Sequence, residues 1–252
     1  MIPFPLPAAF LVLLSLILSA AAGPARADAV EPERRYRDCM DKARRAPQAA
    51  FDDALAWNGL GGGQAARHCM AVALMGLGQH AEAARRLEAL AQEARTPVLR
   101  AELLAQAAQG WLLAKRAERA DDVLTAAIKV APENIELLID RAGARAALKR
   151  YGEAADDLTA ALTVAPRRAD ALALRASAKR FLDDAAGAEA DATAALALEP
   201  ANPEALLERG ILRRLKGDDA GARADWLKAV QTSGAAADAA RANLEAMDVK
   251  AR

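Results

Sequence analysis

The side chains able to do chemistry are few in this 252-residue chain, and their spacing suits none of the common reactions. There are two histidines, His68 and His80, and two cysteines, Cys39 and Cys69. Imidazole and thiolate are good zinc ligands, and a thiolate beside an imidazole can serve as a nucleophile. Neither histidine lies in a His-Glu-x-x-His helix, and the four residues match no metal-binding spacing. His68 and Cys69 are adjacent, so on a helix their side chains point about 100° apart. No Gly-x-Ser-x-Gly elbow occurs. The run Gly59-Leu60-Gly61-Gly62-Gly63 follows no strand and lacks the lysine of a phosphate-binding loop, so it reads as a connector. The expectation is a non-catalytic protein with no metal and no cofactor. Cys39 and Cys69 are expected to form one disulfide in an oxidising compartment, two buried thiols being the other reading.

Composition decides which elements position these side chains. Lys and Arg total 34 and Asp and Glu total 34, so no excess positive field is available for a nucleic-acid backbone. Aromatics make up 4%, while about 70 residues are alanine, the strongest helix former and small enough for close helix approach. The expected class is all-α.

The N-terminus reads as a targeting segment. Ala8 to Ala22 is almost wholly apolar, with Phe10 to Leu18 as its core, and Ala25-Arg26-Ala27 offers a peptidase site before Asp28. No Lys or Arg precedes the run, and an uncleaved anchor is the competing reading. Cleavage after Ala27 would give a periplasmic or secreted chain without a membrane span.

Pro132, Pro166 and Pro200 recur every 34 residues. Cutting at that period gives units 101–134, 135–168, 169–202 and 203–234. Stacked, they align Leu104, Leu138, Leu172 and Leu206; the small residues Ala108, Ala142, Ala176 and Gly210; and Ala120, Ala154, Ala188 and Ala222. Each unit reads as two helices joined by a turn, and one such hairpin cannot bury its apolar face alone. This pattern resembles the tetratricopeptide repeat: small residues in these columns, Tyr151 at a turn, and a closing proline. Upstream, 64–97 reads as a degenerate unit closed by Pro97, and 28–63 as a divergent helical pair with the Gly-rich connector. Residues 235–252 read as a capping helix and tail, with Ala236, Ala240, Leu244 and Met247 on one face. The expected architecture is an α-solenoid of helix-turn-helix repeats.

Two columns exchange together. The seventh place holds Arg141, Arg175 and Arg209, the twenty-third Asp157, Asp191 and Asp225, while the first unit has Ala107 and Val123 there. The joint swap implies contact across each hairpin, an arginine fork on a carboxylate, a charged ligand site being the other reading.

The resemblance implies that the first helices line a concave groove taking a peptide or helix of another protein. Mapped by column, that groove holds Ile139, Ser177, Phe181, Leu207 and Ile211, with Arg180 and Arg214 at one end to orient an acidic or C-terminal group. An acidic row, Glu102, Glu136, Asp170 and Glu204, answers the helix dipole or touches the ligand. The expected function is an interaction adaptor of the cell envelope. The rival is a scaffold, a homo-oligomer joined through its end units, with the groove empty.

Overall fold

The computed structural model describes residues 27–250, with side chains from Glu31 to Asp248. The leader expected over residues 1–27 lies outside the described residues, apart from Ala27. Among the described residues there are thirteen helices and no strand: α1 (Ala27–Arg45), α2 (Pro47–Gly59), α3 (Gly63–Gly76), α4 (His80–Glu93), α5 (Pro97–Leu113), α6 (Ala117–Val130), α7 (Ile135–Ala147), α8 (Tyr151–Val164), α9 (Ala169–Phe181), α10 (Ala185–Leu198), α11 (Pro203–Leu215), α12 (Asp219–Ala229) and α13 (Ala235–Lys250). None of them is long and apolar enough to cross a membrane.

Local chemistry sets many of the boundaries. The side chains of Thr96, Asn134, Asp184, Asn202 and Asp218 accept from backbone N–H groups in the first turns of α5, α7, α10, α11 and α12, supplying partners that helix starts lack. Pro97 sits in the first turn of α5, where its missing N–H costs nothing. This corrects the reading of Pro97 as a unit's closing residue: with Thr96 as cap it starts α5 one turn before Ala101. The turn inside each of the four regular units passes through the left-handed region at one column, Lys115, Lys149, Asp183 and Gly217, with φ of 57°, 61°, 61° and 83°. Only the last unit uses glycine there, the residue that meets this conformation without a Cβ penalty.

Each helix packs on its successor. The odd-numbered helices α1 and α3, α5 and α7, α7 and α9, and α9 and α11 also meet one another, whereas no even-numbered pair does so comparably. The odd layer is therefore the inner one, and the stack curves with α5, α7, α9 and α11 on its concave side. The small columns lie between layers: Ala108, Ala142, Ala176, Ala120, Ala154, Ala188 and Ala222 are all buried. Small residues there let helix axes approach closely.

One hairpin departs from this rule in a compensated way. Opposite Ala108, Ala142 and Ala176 stand Leu124, Leu158 and Ala192, but opposite Gly210 stands the buried indole of Trp226. A Cβ on Gly210 would lie 2.6 Å from Trp226 Cδ1, inside the ring's own space. The smallest residue of its column faces the largest of the partner column.

At the N-terminal end, a Cys39–Cys69 disulfide ties α1 to α3 with Cα atoms 6.2 Å apart. At the other end α13 packs on α11 and α12, with Ala236, Ala237, Ala240 and Met247 buried and Leu244 against the core. Most of the apolar face of α13 is thus packed inside the molecule.

Candidate functional site

The most regular polar feature is a ladder within the hairpins. Arg141 donates through Nε and Nη2 to Asp157 Oδ2 and Oδ1 at 2.9 and 2.7 Å. Arg175 does so to Asp191, both at 2.8 Å, and Arg209 to Asp225 at 2.9 and 2.7 Å. In the first unit the corresponding Ala107 and Val123 are buried. Each carboxylate also accepts from a second cation one turn further along the same helix, at 2.8 Å: Arg145 for Asp157, Lys179 for Asp191, Arg213 for Asp225. These cations were not foreseen from the sequence, although they too recur every 34 residues. Arg141 and Arg175 reach back to Thr125 and Thr159 of the preceding unit, at 3.1 and 3.2 Å. The ladder therefore joins units as well as closing hairpins. With 5%, 6% and 1% exposure, Asp157, Asp191 and Asp225 are out of reach of a ligand and belong to the fold.

The concave floor is assembled from the odd helices. Ser177, Leu207 and Ile211 are half-buried along it, whereas Ile139 is packed into the core. Ile139 is thus corrected from groove floor to core: α7 turns it inward among Ala142, Ala171 and Ala173. Phe181 is 49% exposed, and its ring stacks on Tyr151 with centroids 4.3 Å apart and planes 7° apart. The Arg180 guanidinium also lies over this ring, so what Phe181 exposes is an apolar contact flanked by Tyr151 and Arg180.

The two arginines require a correction as well. Arg180 donates to Glu208 at 2.6 and 3.2 Å while its guanidinium lies 4.2 Å from the Phe181 ring centroid. Arg214 donates to Asp219 at 3.0 Å. Arg168 is likewise held by Glu136 at 3.0 Å and by Asp170 at 2.6 Å. The positive charge assigned to an acidic ligand is already engaged by carboxylates of the chain.

What stays unpaired on this face is negative. Among the described residues Asp140, Glu102 and Glu204 take no ion pair. Asp140 is exposed at the rim of the crevice between α5 and α7; the protein on its crevice side, then the Glu136 charge beside it, raise its carboxyl above the ordinary range. Folding stability therefore falls as the pH rises from the unfolded value of about 3.9 to the higher folded value, and the penalty is absent where both forms are protonated. Because solvent screens this exposed group, Asp140→Asn is expected to raise the melting temperature only slightly near pH 7 and to leave it unchanged near pH 3. Thermal scans at the two pH values check this, and no gain at neutral pH would contradict it.

Beside that crevice a relay crosses three odd helices. The Tyr36 hydroxyl and His68 Nδ1 are 2.6 Å apart, and His68 Nε2 is 2.8 Å from Gln106 Oε1. Gln106 is an acceptor at that oxygen, so Nε2 carries the proton and Nδ1 accepts from Tyr36. Burial, then the neighbouring Glu102 charge, raises the Tyr36 phenol, which keeps it a donor. His68 is thus engaged in joining α1, α3 and α5, and the Cys39 and Cys69 thiols are consumed by their bond to each other.

No family model matches the chain, and no curated protein matches it in sequence. Solved structures do. A thermophilic TPR protein of Thermus thermophilus aligns with a TM-score of 0.59 at 23% identity, over 73% of this chain and 98% of that one. MamA 41-end from Desulfovibrio magneticus RS-1 aligns with a TM-score of 0.56 at 21% identity, over 66% and 92% of the two chains. Another MamA crystal structure gives 0.55 at 15% identity, over 64% and 93%.

Proposed function

From a chain with the tetratricopeptide-repeat fold as premise, we propose a non-catalytic adaptor that binds a peptide or helix of another protein along its concave face. The observation that carries this reading is the contrast between layers. The inner face keeps the half-exposed Phe181, half-buried Leu207 and Ile211, and crevices between helices, while the arginine–aspartate ladder is sealed. Apolar anchors in a groove are what helix or extended-peptide recognition uses. Self-association through the end units is less well supported, since α13 buries its apolar side against α11 and α12.

We place the protein in the cell envelope, exported and then freed of its leader. The Cys39–Cys69 bond supports this address, because disulfides persist in oxidising compartments.

Gly143 offers a clean test. It lies mid-helix in α7, and a Cβ built there meets nothing within 4 Å, so a long side chain extends into the groove without disturbing the core. Gly143→Gln also removes a helix-weakening glycine and is expected to stabilise by about 0.5–1 kcal/mol in urea unfolding. In capture from cells of origin, followed by mass spectrometry, Gly143→Gln is expected to lose the protein that wild type retains. Retention of the same protein by the blocked variant would defeat the groove reading.

A further inference from the structure

We propose that the crevice between α5 and α7 receives a lysine or arginine side chain of the bound segment, with Asp140 as its counter-ion. This rests on the groove reading above and names the partner's chemistry at one place in it.

The crevice has a volume of about 370 Å3. Its walls are of two kinds. Ala105, Ala108, Leu112 and Leu124 are apolar, whereas Gln106, Gln109 and Asp140 are polar. A basic side chain has the same division, an apolar stem under a charged head, and such side chains bury the stem while the head finds polar partners. An ammonium offers three donors and a guanidinium five; a carboxylate and two amide oxygens supply acceptors for them. Gln106 Oε1 lies 2.8 Å from His68 Nε2 and keeps a second lone pair beyond that contact.

Charge complementarity decides the sign of the occupant. Among the described residues the arginines of this floor, Arg168, Arg180 and Arg214, are committed to Glu136, Asp170, Glu208 and Asp219 and are not free to receive an acid. Asp140 stands without a cation of its own. An incoming cation would favour its ionised form, while the apolar stem lies against the alanines and leucines of the crevice. An acidic segment would meet only repulsion there. Gly143, one turn beyond Asp140 on the same helix, lines the neighbouring crevice on the α9 side, where a Cβ would meet open space.

The test is selection of random 12-residue peptides displayed on phage, against the oxidised full chain, its Asp140→Asn variant and the Gly143→Gln variant. Wild type is expected to enrich peptides with a basic residue at one fixed position among apolar ones. For an enriched peptide made synthetically, Asp140→Asn should weaken binding at least tenfold. Replacing the peptide's basic residue by methionine should weaken it similarly, and both changes together by little more than either. Peptides blocked by Gly143→Gln but lacking a basic residue, or indifferent to Asp140→Asn, would overturn the counter-ion assignment and leave the groove intact. Peptides indifferent to Gly143→Gln, or none at all, would overturn the groove reading and this assignment with it. Asp140→Asn is isosteric, so a fold defect does not confuse the comparison.

Discussion

Gly210→Ala is expected to destabilise the protein by about 1–3 kcal/mol, although alanine is the better helix former by about 1 kcal/mol. The sign is decided by Trp226. Its indole is 2% exposed, its Nε1–H donates to Leu207 O at 3.2 Å, and its ring occupies the space of the added methyl. The contact is with the near side of a packed ring, so the methyl cannot be accommodated by swinging a flexible chain end aside. Trp226→Leu alone should also be costly, about 2–4 kcal/mol, because it leaves a cavity beside Gly210. The double change recreates the Ala142 and Leu158 pairing that the second unit already uses, and it should be less destabilised than the sum of the two. Urea unfolding of the four proteins measures this coupling. Strict additivity would mean that the two residues do not share space.

Asp191→Ala is the second large effect, expected at roughly 2–4 kcal/mol, since it strands Arg175 and Lys179 without their common acceptor in a seam with little water. Removing both members of the fork, Arg175→Ala with Asp191→Val, should cost less than Asp191→Ala alone. The first unit shows why: Ala107 and Val123 occupy the same two places, buried and apolar. Lys179, left over in the double variant, is partly exposed and can turn its ammonium to solvent. The pH dependence has a definite sign. Burial by itself would raise the Asp191 carboxyl, but the hydrogen bonds from Arg175 and Lys179 outweigh it and hold the group below the usual range. A depressed folded pKa contributes stability above the unfolded value of about 3.9, and that stability is lost as the pH falls through the folded value. The gap between wild type and Asp191→Ala should therefore narrow in acid. Equal losses for the single and double variants would show that the contact contributes nothing specific.

The part of this structure that follows a 34-residue period was readable from the chain. Helix boundaries, the small columns and the arginine–aspartate forks all repeat, and a repeat supplies several views of one contact. The joint exchange of Ala107 and Val123 for Arg and Asp was as informative as a small set of natural variants. Arg145, Lys179 and Arg213 repeat just as faithfully, but a cation one turn from another cation reads as solvated surface until the aspartate between them is seen. Gly210 and Trp226 carried a signal in the paired columns that is visible only when a gap and a bulk are read together.

Contacts between unlike units were not readable in this way. Arg180 and Glu208 belong to neighbouring first helices and meet because of how the units stack, a rotation the period does not encode. Tyr36 lies in α1, whose register against α3 is set by the divergent N-terminal pair and the disulfide, so its relay with His68 and Gln106 had no column to announce it. Pro97 failed as a period marker because proline suits both the end of one helix and the first turn of the next.

The central claim is that recognition runs along the inner face. Its most direct test places a photo-crosslinking amino acid in turn at Gln109, Gly143, Ser177 and Ile211 on the odd helices, and at the exposed Asp122, Asp156, Ala190 and Ala224 on the even helices, in cells of origin. One foreign protein crosslinked from the first four positions and not from the second four is the predicted result. The same product from the even helices, or products consisting of this chain joined to itself, would contradict it.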